Sequence, residues 1–338
     1  MSAPAIDTDS FSEAMRRRGV DRESETIRVT RFTGSEQEQD FSEPANCEGF
    51  GRVRHFRREA GAGWPENPLP IEPAARALGL DPPPGILEAQ VFQNAVCNWR
   101  CWYCFVDFEL LSGRQDRSSM LSARKLVELY LAEPTRPAMI DLSGGQPDLV
   151  PEWVPWMMDA LTAAGVGNEV FLWSDDNLSN DYFWRYLTGP ERALLGSYPM
   201  YGKVCCFKGF DPHSFAFNTA AAPELFERQF ALMRRLVNET EIDLYAYVTL
   251  TTDREAQIAN AVAAFVDRLQ TIDPNLPLRT VPLQIAAFTP VRPRMHAKHE
   301  HALALQADAV AAWNEELAAR FSDSERQRAI CEVPLASR

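Results

Sequence analysis

Leu87-Glu88-Ala89-Gln90-Val91-Phe92 runs directly into Gln93-Asn94-Ala95-Val96-Cys97-Asn98-Trp99-Arg100-Cys101-Trp102-Tyr103-Cys104-Phe105, a short apolar β-rich run followed by a loop with three cysteines. The same grammar repeats downstream. Candidate strands at 87–92, 138–142, 169–173, 203–207, 243–250 and 280–286 alternate with helical patterns at 122–132, 153–164, 181–187, 223–238 and 254–269, and a last helix covers about 299–321. Strand and helix in strict alternation is the pattern of βα units around a parallel sheet.

Six such units predict an α/β fold, a partial (β/α)6 TIM-like barrel with an N-terminal extension and a C-terminal helix. A complete barrel needs two more units that no segment supplies, and a doubly wound sheet would show a phosphate-binding glycine fingerprint absent from this sequence. The cysteine loop then falls at the C-terminal end of the first strand, the rim on which barrel enzymes build their sites.

Outward from this region the chain changes character. Residues 1–85 read as an N-terminal extension: 1–48 are rich in Ser, Glu, Asp and Arg and read as mobile or loosely docked, with one short strand at 25–32. Prolines recur at 65, 68, 70, 73, 82, 83 and 84, giving an extended connector over 64–85 around a short helix at 74–80. The barrel is expected over 86–295, and the final helix and tail over 296–338.

The composition excludes several classes of function. Of 338 residues 46% are apolar, enough for one large core. The formal net charge is −13 and only four of the 34 basic residues are lysines, which argues against nucleic acid as a partner. No apolar run approaches the ~18 residues of a membrane span, and the first residues lack the apolar core of a signal peptide, so a cytoplasmic protein is expected. Seven cysteines without a secretory signal favour thiolate chemistry or burial over a disulfide framework.

Cys97, Cys101 and Cys104 are spaced C-x3-C-x2-C, compact enough for three soft thiolates to converge on one iron–sulfur cubane and leave one iron open. Structural zinc is the alternative, but a closed tetrahedral site wants four Cys or His ligands and none lies nearby in sequence. Burial of three thiols as small hydrophobes is the third reading, and a tight loop is a poor place for it.

The stretch CNWRCWYC resembles the C-x3-C-x-aromatic-C loop of the radical S-adenosylmethionine superfamily, with Tyr103 at the aromatic position. The resemblance implies a [4Fe–4S] cluster on Cys97, Cys101 and Cys104, its open iron chelated by S-adenosylmethionine, with backbone near Tyr103 and Phe105 against the adenine. Trp99 and Trp102 fit ordinary loop packing equally well. One unit later, Gly144-Gly145-Gln146-Pro147 resembles the family's GGEP motif, whose backbone approaches the methionyl ammonium; Gln146 in place of Glu removes a charge. Two glycines after a strand permit such a close approach. The third strand ends in Ser174-Asp175-Asp176-Asn177, where Ser174, Asp175 and Asn177 are candidates for methionine carboxylate or ribose contacts, or alternatively caps for the helix near Asp181.

In the fourth strand, alternation sends Cys206 and Lys208 to the opposite face from Cys205. Cys206 is the candidate lumen thiol, able to give a hydrogen atom to a substrate radical or simply to pack; Lys208 is a candidate grip for a carboxylate or phosphate, or a solvated rim lysine. Tyr245, Tyr247, Thr249 and Gln284 are further polar candidates for the lumen. His55, His213, His296, His299 and His301 show no metal-binding spacing, and Cys47 and Cys331 are isolated, so one cluster is expected.

The resemblance covers about residues 87–290. It implies reductive cleavage of S-adenosylmethionine to methionine and a 5′-deoxyadenosyl radical, which takes hydrogen from a small-molecule or peptide substrate. The electron would come from a low-potential donor such as flavodoxin or ferredoxin. An activase that installs a glycyl radical on a partner enzyme and a non-enzymatic iron–sulfur module are the competing readings.

Overall fold

The computed structural model describes residues 5–61 and 63–336. Its strands are β1 (Val20–Asp21), β2 (Thr26–Thr30), β3 (Gly51–Arg57), β4 (Ile86–Phe92), β5 (Ser118–Ser122), β6 (Met139–Leu142), β7 (Phe171–Asp176), β8 (Tyr201–Phe207), β9 (Leu244–Val248) and β10 (Thr280–Pro282). Seven of them form a curled sheet in the order β10-β9-β8-β7-β6-β4-β3. From β4 to β10 each neighbouring pair is parallel and follows chain order. Helices Ala123–Ala132, Trp153–Ala163, Phe226–Glu239 and Ile258–Gln270 occupy the connections. The helix Ala297–Arg320 packs on the last of these through Trp313 against Phe265, ring centroids 6.3 Å apart.

Both faces of the sheet are covered, which is why its strands read as near-continuous apolar runs. Ile140, Leu142, Leu172, Cys205, Phe207, Ala246 and Val248 face the helices. Leu87, Ala89, Met139, Phe171, Trp173, Val204, Cys206 and Tyr247 face the concave side, where Leu69, Ile71, Ile330 and Cys331 close the floor. No described helix is long and apolar enough to cross a membrane.

Three expectations are corrected. The segment expected to be loosely docked contains the helix Thr8–Gly19, which is anchored by buried polar contacts. Arg16 donates to both oxygens of Glu152 at 2.5 and 3.0 Å and to the carbonyl of Leu149 at 2.9 Å, while its guanidinium lies 3.5 Å from the centre of the Tyr186 ring. The short strand foreseen at 25–32 is β2, and it pairs antiparallel with β1 and with β5, a strand absent from the sequence reading.

Secondly, β3 lies on the N-terminal side of the boundary expected near residue 85, yet it pairs with β4 along its whole length, Gly51 with Phe92 through Arg57 with Ile86. The main sheet therefore begins about 35 residues before the first predicted strand, and its first strand is antiparallel. Thirdly, the sixth strand, expected over 280–286, ends at Pro282, which has no N–H for a ladder and sits at the sheet edge where proline is tolerated. Helices Gly189–Ser197 and Pro212–Thr219 were likewise not foreseen.

Candidate active site

The sheet's C-terminal rim and concave face enclose a cavity of about 460 Å³. Cys97, Cys101, Tyr103, Cys104 and Phe105 line it from the loop after β4, Gly144, Gly145 and Gln146 from the loop after β6, Asp175, Asp176 and Asn177 from β7, and Cys206 and Lys208 from β8. Residues far apart in sequence thus converge because each follows a parallel strand whose neighbour is the next unit.

The cysteine loop is held from all sides. Arg100 donates to the carbonyls of Cys97 and Trp99 at 2.9 and 2.8 Å, and Arg294 donates to those of Cys104 and Val106 at 2.6 and 3.3 Å. The N-terminal helix completes the frame: Trp99 Nε1 donates to Thr8 Oγ1 at 3.0 Å, and Asn98 Nδ2 to Ser12 Oγ at 2.8 Å. Trp102 Nε1 donates to Asn218 Oδ1 at 2.9 Å, and its ring stacks on His299 with centroids 4.5 Å apart. Both tryptophans therefore pack the loop, while Tyr103 turns inward and shares a 2.9 Å hydrogen bond with Thr249 Oγ1.

The second loop is locked onto the first. Gln146 N donates to the carbonyl of Val96 at 2.8 Å, and Asn94 Nδ2 donates to the carbonyl of Gln146 at 2.9 Å. Gly144 and Gly145 have φ of +81° and +64°, and a Cβ on Gly145 would stand 2.2 Å from the carbonyl oxygen of Asn94. Only glycine allows this approach. Gln146 itself is buried and spends its amide on β7: Nε2 donates to Asp176 Oδ1 at 2.8 Å and Oε1 accepts from Asn177 N at 2.9 Å.

Pro147, Ser174, Tyr245 and Thr249, all singled out from sequence, lie off the cavity. Pro147 opens a short 3-10 turn behind the glycines. Ser174 points to the helix side, sharing a 2.7 Å hydrogen bond with the Tyr201 hydroxyl. It sits one residue out of step with Asp175 and Asn177, so strand alternation separates them. The alternative capping role also goes elsewhere, since Asn180 Oδ1 accepts from Tyr182 N at the start of the helix Tyr182–Tyr186. Tyr247 and Gln284 line the cavity, whereas Tyr245 is buried beneath it and donates to Asp243 Oδ2 at 2.6 Å.

Sequence reading missed the charged wall that β3 adds beside β4. Arg52, Arg54 and His55 on β3 line the cavity together with Trp173, Leu283 and Ile285. Asp141 lies fully buried behind it with Arg54 Nη1 3.6 Å away. Burial, reinforced by the nearby Asp175 carboxylate, raises the Asp141 pKa to about 7. Burial disfavours the charge of Lys208, but Cys206, Tyr103, Cys101 and Asp175 around it hold its pKa well above the usual lysine value. Lower down, Lys203 Nζ donates to both oxygens of Asp148 at 2.8 Å, fixing the base of β8 to the turn after β6.

All seven cysteines are free, and the three of the loop share one wall of the cavity. Burial pushes the Cys101 thiol up to about 12 despite the opposing field of Lys208, and burial also raises Cys104, with Cys97 adding to the effect. Cys101 and Cys104 are thus near enough to Cys97 to sense it. Among the described residues no group of three His, Cys, Asp or Glu side chains stands ready-made for a single metal ion. Three thiols on one cavity wall are the donor type an iron–sulfur cluster takes, and among the described residues no fourth His, Cys, Asp or Glu joins them as a closed tetrahedral zinc site requires.

No family model and no curated protein matches this chain. Among solved structures it is similar to Streptococcus suis SuiB bound to S-adenosylmethionine, at a TM-score of 0.37 and 15% identity. That alignment covers 53% of this chain and 36% of SuiB.

Two effects follow from the geometry. Gln146→Glu keeps the acceptor for Asn177 N but sets a carboxylate against Asp176, so we expect a loss of about 1–3 kcal/mol at neutral pH. Like charge raises the folded-state pKa of such an acid above its unfolded value. The native state then binds the proton more tightly, and the variant recovers stability as pH falls. Urea melts at neutral and mildly acidic pH read this directly. Asp141 obeys the same sign: with a folded pKa of about 7, its burial costs more stability as pH rises from its unfolded value of 3.8 towards 7. Asp141→Asn is expected to flatten that part of the stability profile, measured by urea denaturation across the range.

Proposed function

We propose that this protein is a radical S-adenosylmethionine enzyme acting on a small molecule or peptide held in the lumen of a partial (β/α)6 barrel. The observation that supports it is the locking of Gly144–Gln146 against Asn94 and Val96, which sets the second motif beside the cysteine loop on one cavity wall. Cys97, Cys101 and Cys104 would hold a [4Fe–4S] cluster. When bound, the cluster supplies the electron that cleaves the sulfonium–C5′ bond of S-adenosylmethionine, giving methionine and a 5′-deoxyadenosyl radical that abstracts hydrogen from the substrate.

The chain's own residues bind, orient and exclude water. Gly144 and Gly145 line the cavity, where a backbone carbonyl of the turn would suit an ammonium. Asp175 and Asn177 stand next along the rim, within reach of polar groups of a ligand seated on that turn. Tyr103 is fixed by Thr249, and its backbone with that of Phe105 offers a flat edge for an adenine. The lumen below is walled by Trp173, Tyr247 and Val204 and closed at its floor, which keeps solvent from a reactive carbon centre. Cys206 faces this space with its thiol pushed up to about 12 by burial, so it remains a neutral S–H that can release a hydrogen atom.

Anaerobic reconstitution with iron and sulfide, followed by dithionite and S-adenosylmethionine, is the test. Formation of 5′-deoxyadenosine is the expected result. A reconstituted chain that shows cluster absorbance but no cleavage would instead fit the non-enzymatic iron–sulfur module.

A further inference from the structure

Strand β3 adds cationic side chains to the cavity. Its alternation turns Arg52, Arg54 and Phe56 to the concave side, opposite Val91, Ala89 and Leu87 of β4. Arg54 has a counter-ion in Asp141 at 3.6 Å, and Lys208 senses Asp175. Arg52 has none. It is 8% exposed, forms no ion pair among the described residues, and its Nε lacks any hydrogen-bond partner. Its guanidinium lies between two rings, 5.1 Å from the centre of Phe41 and 5.5 Å from that of Phe105. Burial draws its pKa down to about 9, Arg54 adds to the effect, the more distant Asp141 carboxylate opposes it, and it still carries its charge at neutral pH.

A buried cation without a counter-ion is costly unless something completes it. The aromatic faces steady the guanidinium plane and offer no acceptor, so the fork is left for a ligand. A planar carboxylate matches that fork with two parallel N–H···O bonds. A phosphate dianion would call on Arg54 as well, and Arg54 is engaged by Asp141. Trp173, Tyr247, Leu283 and Ile285 line the same cavity and present apolar surface to whatever Arg52 holds.

We propose that Arg52 receives the carboxylate of a small acid whose apolar body lies on Trp173, Tyr247, Leu283 and Ile285, making this protein an enzyme of carboxylate-bearing substrates. The assignment rests on the lumen being the substrate chamber of the function proposed above. Arg52 acts here as a binding and specificity residue, placed beside Phe105 at the end of the cysteine loop.

The test is calorimetric and needs no turnover. The full chain, saturated with S-adenosylmethionine, is titrated with 3-phenylpropionate and hexanoate and with their neutral primary amides. We expect at least one acid to bind at least tenfold more tightly than its amide. Arg52→Gln should erase that preference, and Arg52→Lys, which keeps charge but loses the fork, should restore part of it. Acid and amide binding alike, or no acid binding at its solubility limit, would overturn the proposal. So would an Arg52→Gln chain whose affinity for S-adenosylmethionine falls as much as its affinity for the acid, because the guanidinium would then be holding the cosubstrate. Carboxylate preference in a chain that makes no 5′-deoxyadenosine would sink the proposed function and leave the binding site standing; cleavage without carboxylate preference would do the reverse.

Discussion

Cys101→Ala is expected to abolish both cluster assembly and S-adenosylmethionine cleavage. Cys101 is the middle cysteine of the loop, flanked by Cys97 and Cys104 on the same cavity wall. Two remaining sulfurs cannot hold a cubane that needs three protein ligands and one open iron. After anaerobic reconstitution the variant should carry iron no higher than a mock-treated sample, lack the broad visible absorbance of a cluster, and yield 5′-deoxyadenosine only at the no-enzyme level. Cys205→Ala is the control, since that thiol lies in the helix-side core, away from the cavity, and should leave iron content and cleavage intact. Iron and cleavage persisting in Cys101→Ala would refute the assignment of the loop.

Gly145→Ala carries the second large effect, and here the readout is stability as well as activity. An L-residue at φ +64° costs about 1–2 kcal/mol, and forcing a methyl against a carbonyl adds about 1–3 kcal/mol of overpacking. The added Cβ meets backbone oxygens of Asn94 and Val96 at 2.2 and 2.6 Å, which cannot swing aside as a side chain would. A total loss of about 2–5 kcal/mol is expected in urea denaturation. Gly165→Ala separates the two causes: it has φ +78° and no atom within 4 Å of the new Cβ, so it should cost only the conformational part. If both substitutions cost the same, the close approach of the two loops is not what Gly145 provides. The Gly145 variant should also lose cleavage in proportion to displaced cosubstrate, seen as a weaker affinity for S-adenosylmethionine.

The features legible in the sequence are those with strong local signals. The six parallel strands announce themselves as apolar runs because both faces of the sheet are buried, and the order of units sets which loops share a rim. Cysteine spacing and the Gly-Gly turn are likewise local. The element that escaped, β3, reads GRVRHFR: its lumen face carries arginines, so the usual rule of apolar inside and polar outside is inverted and the strand looks like solvent-exposed chain. The helix Thr8–Gly19 hides for a related reason, because its buried face mixes Thr8, Ser12 and Arg16 with Met15. Ser174 was misplaced although the means to exclude it were at hand; the alternation that separates Cys205 from Cys206 separates Ser174 from Asp175 just as well. The roles of Arg100 and Arg294 at the carbonyls of the cysteine loop could not be read, since the second lies nearly two hundred residues away and nothing in sequence marks the contact.

The antiparallel attachment of β3 has a consequence for how such a chain can change. The parallel strands each carry rim residues and lumen residues at once, so altering one of them risks the glycine turn or the cysteine loop that follows it. β3 comes before all of these, leaves the sheet through its own loop, and contributes to the lumen only through alternate side chains on an edge. Position 54 is tied to the buried Asp141 of β6, whereas Arg52 forms no ion pair among the described residues, so position 52 is the first to redesign if the protein is to accept a different molecule.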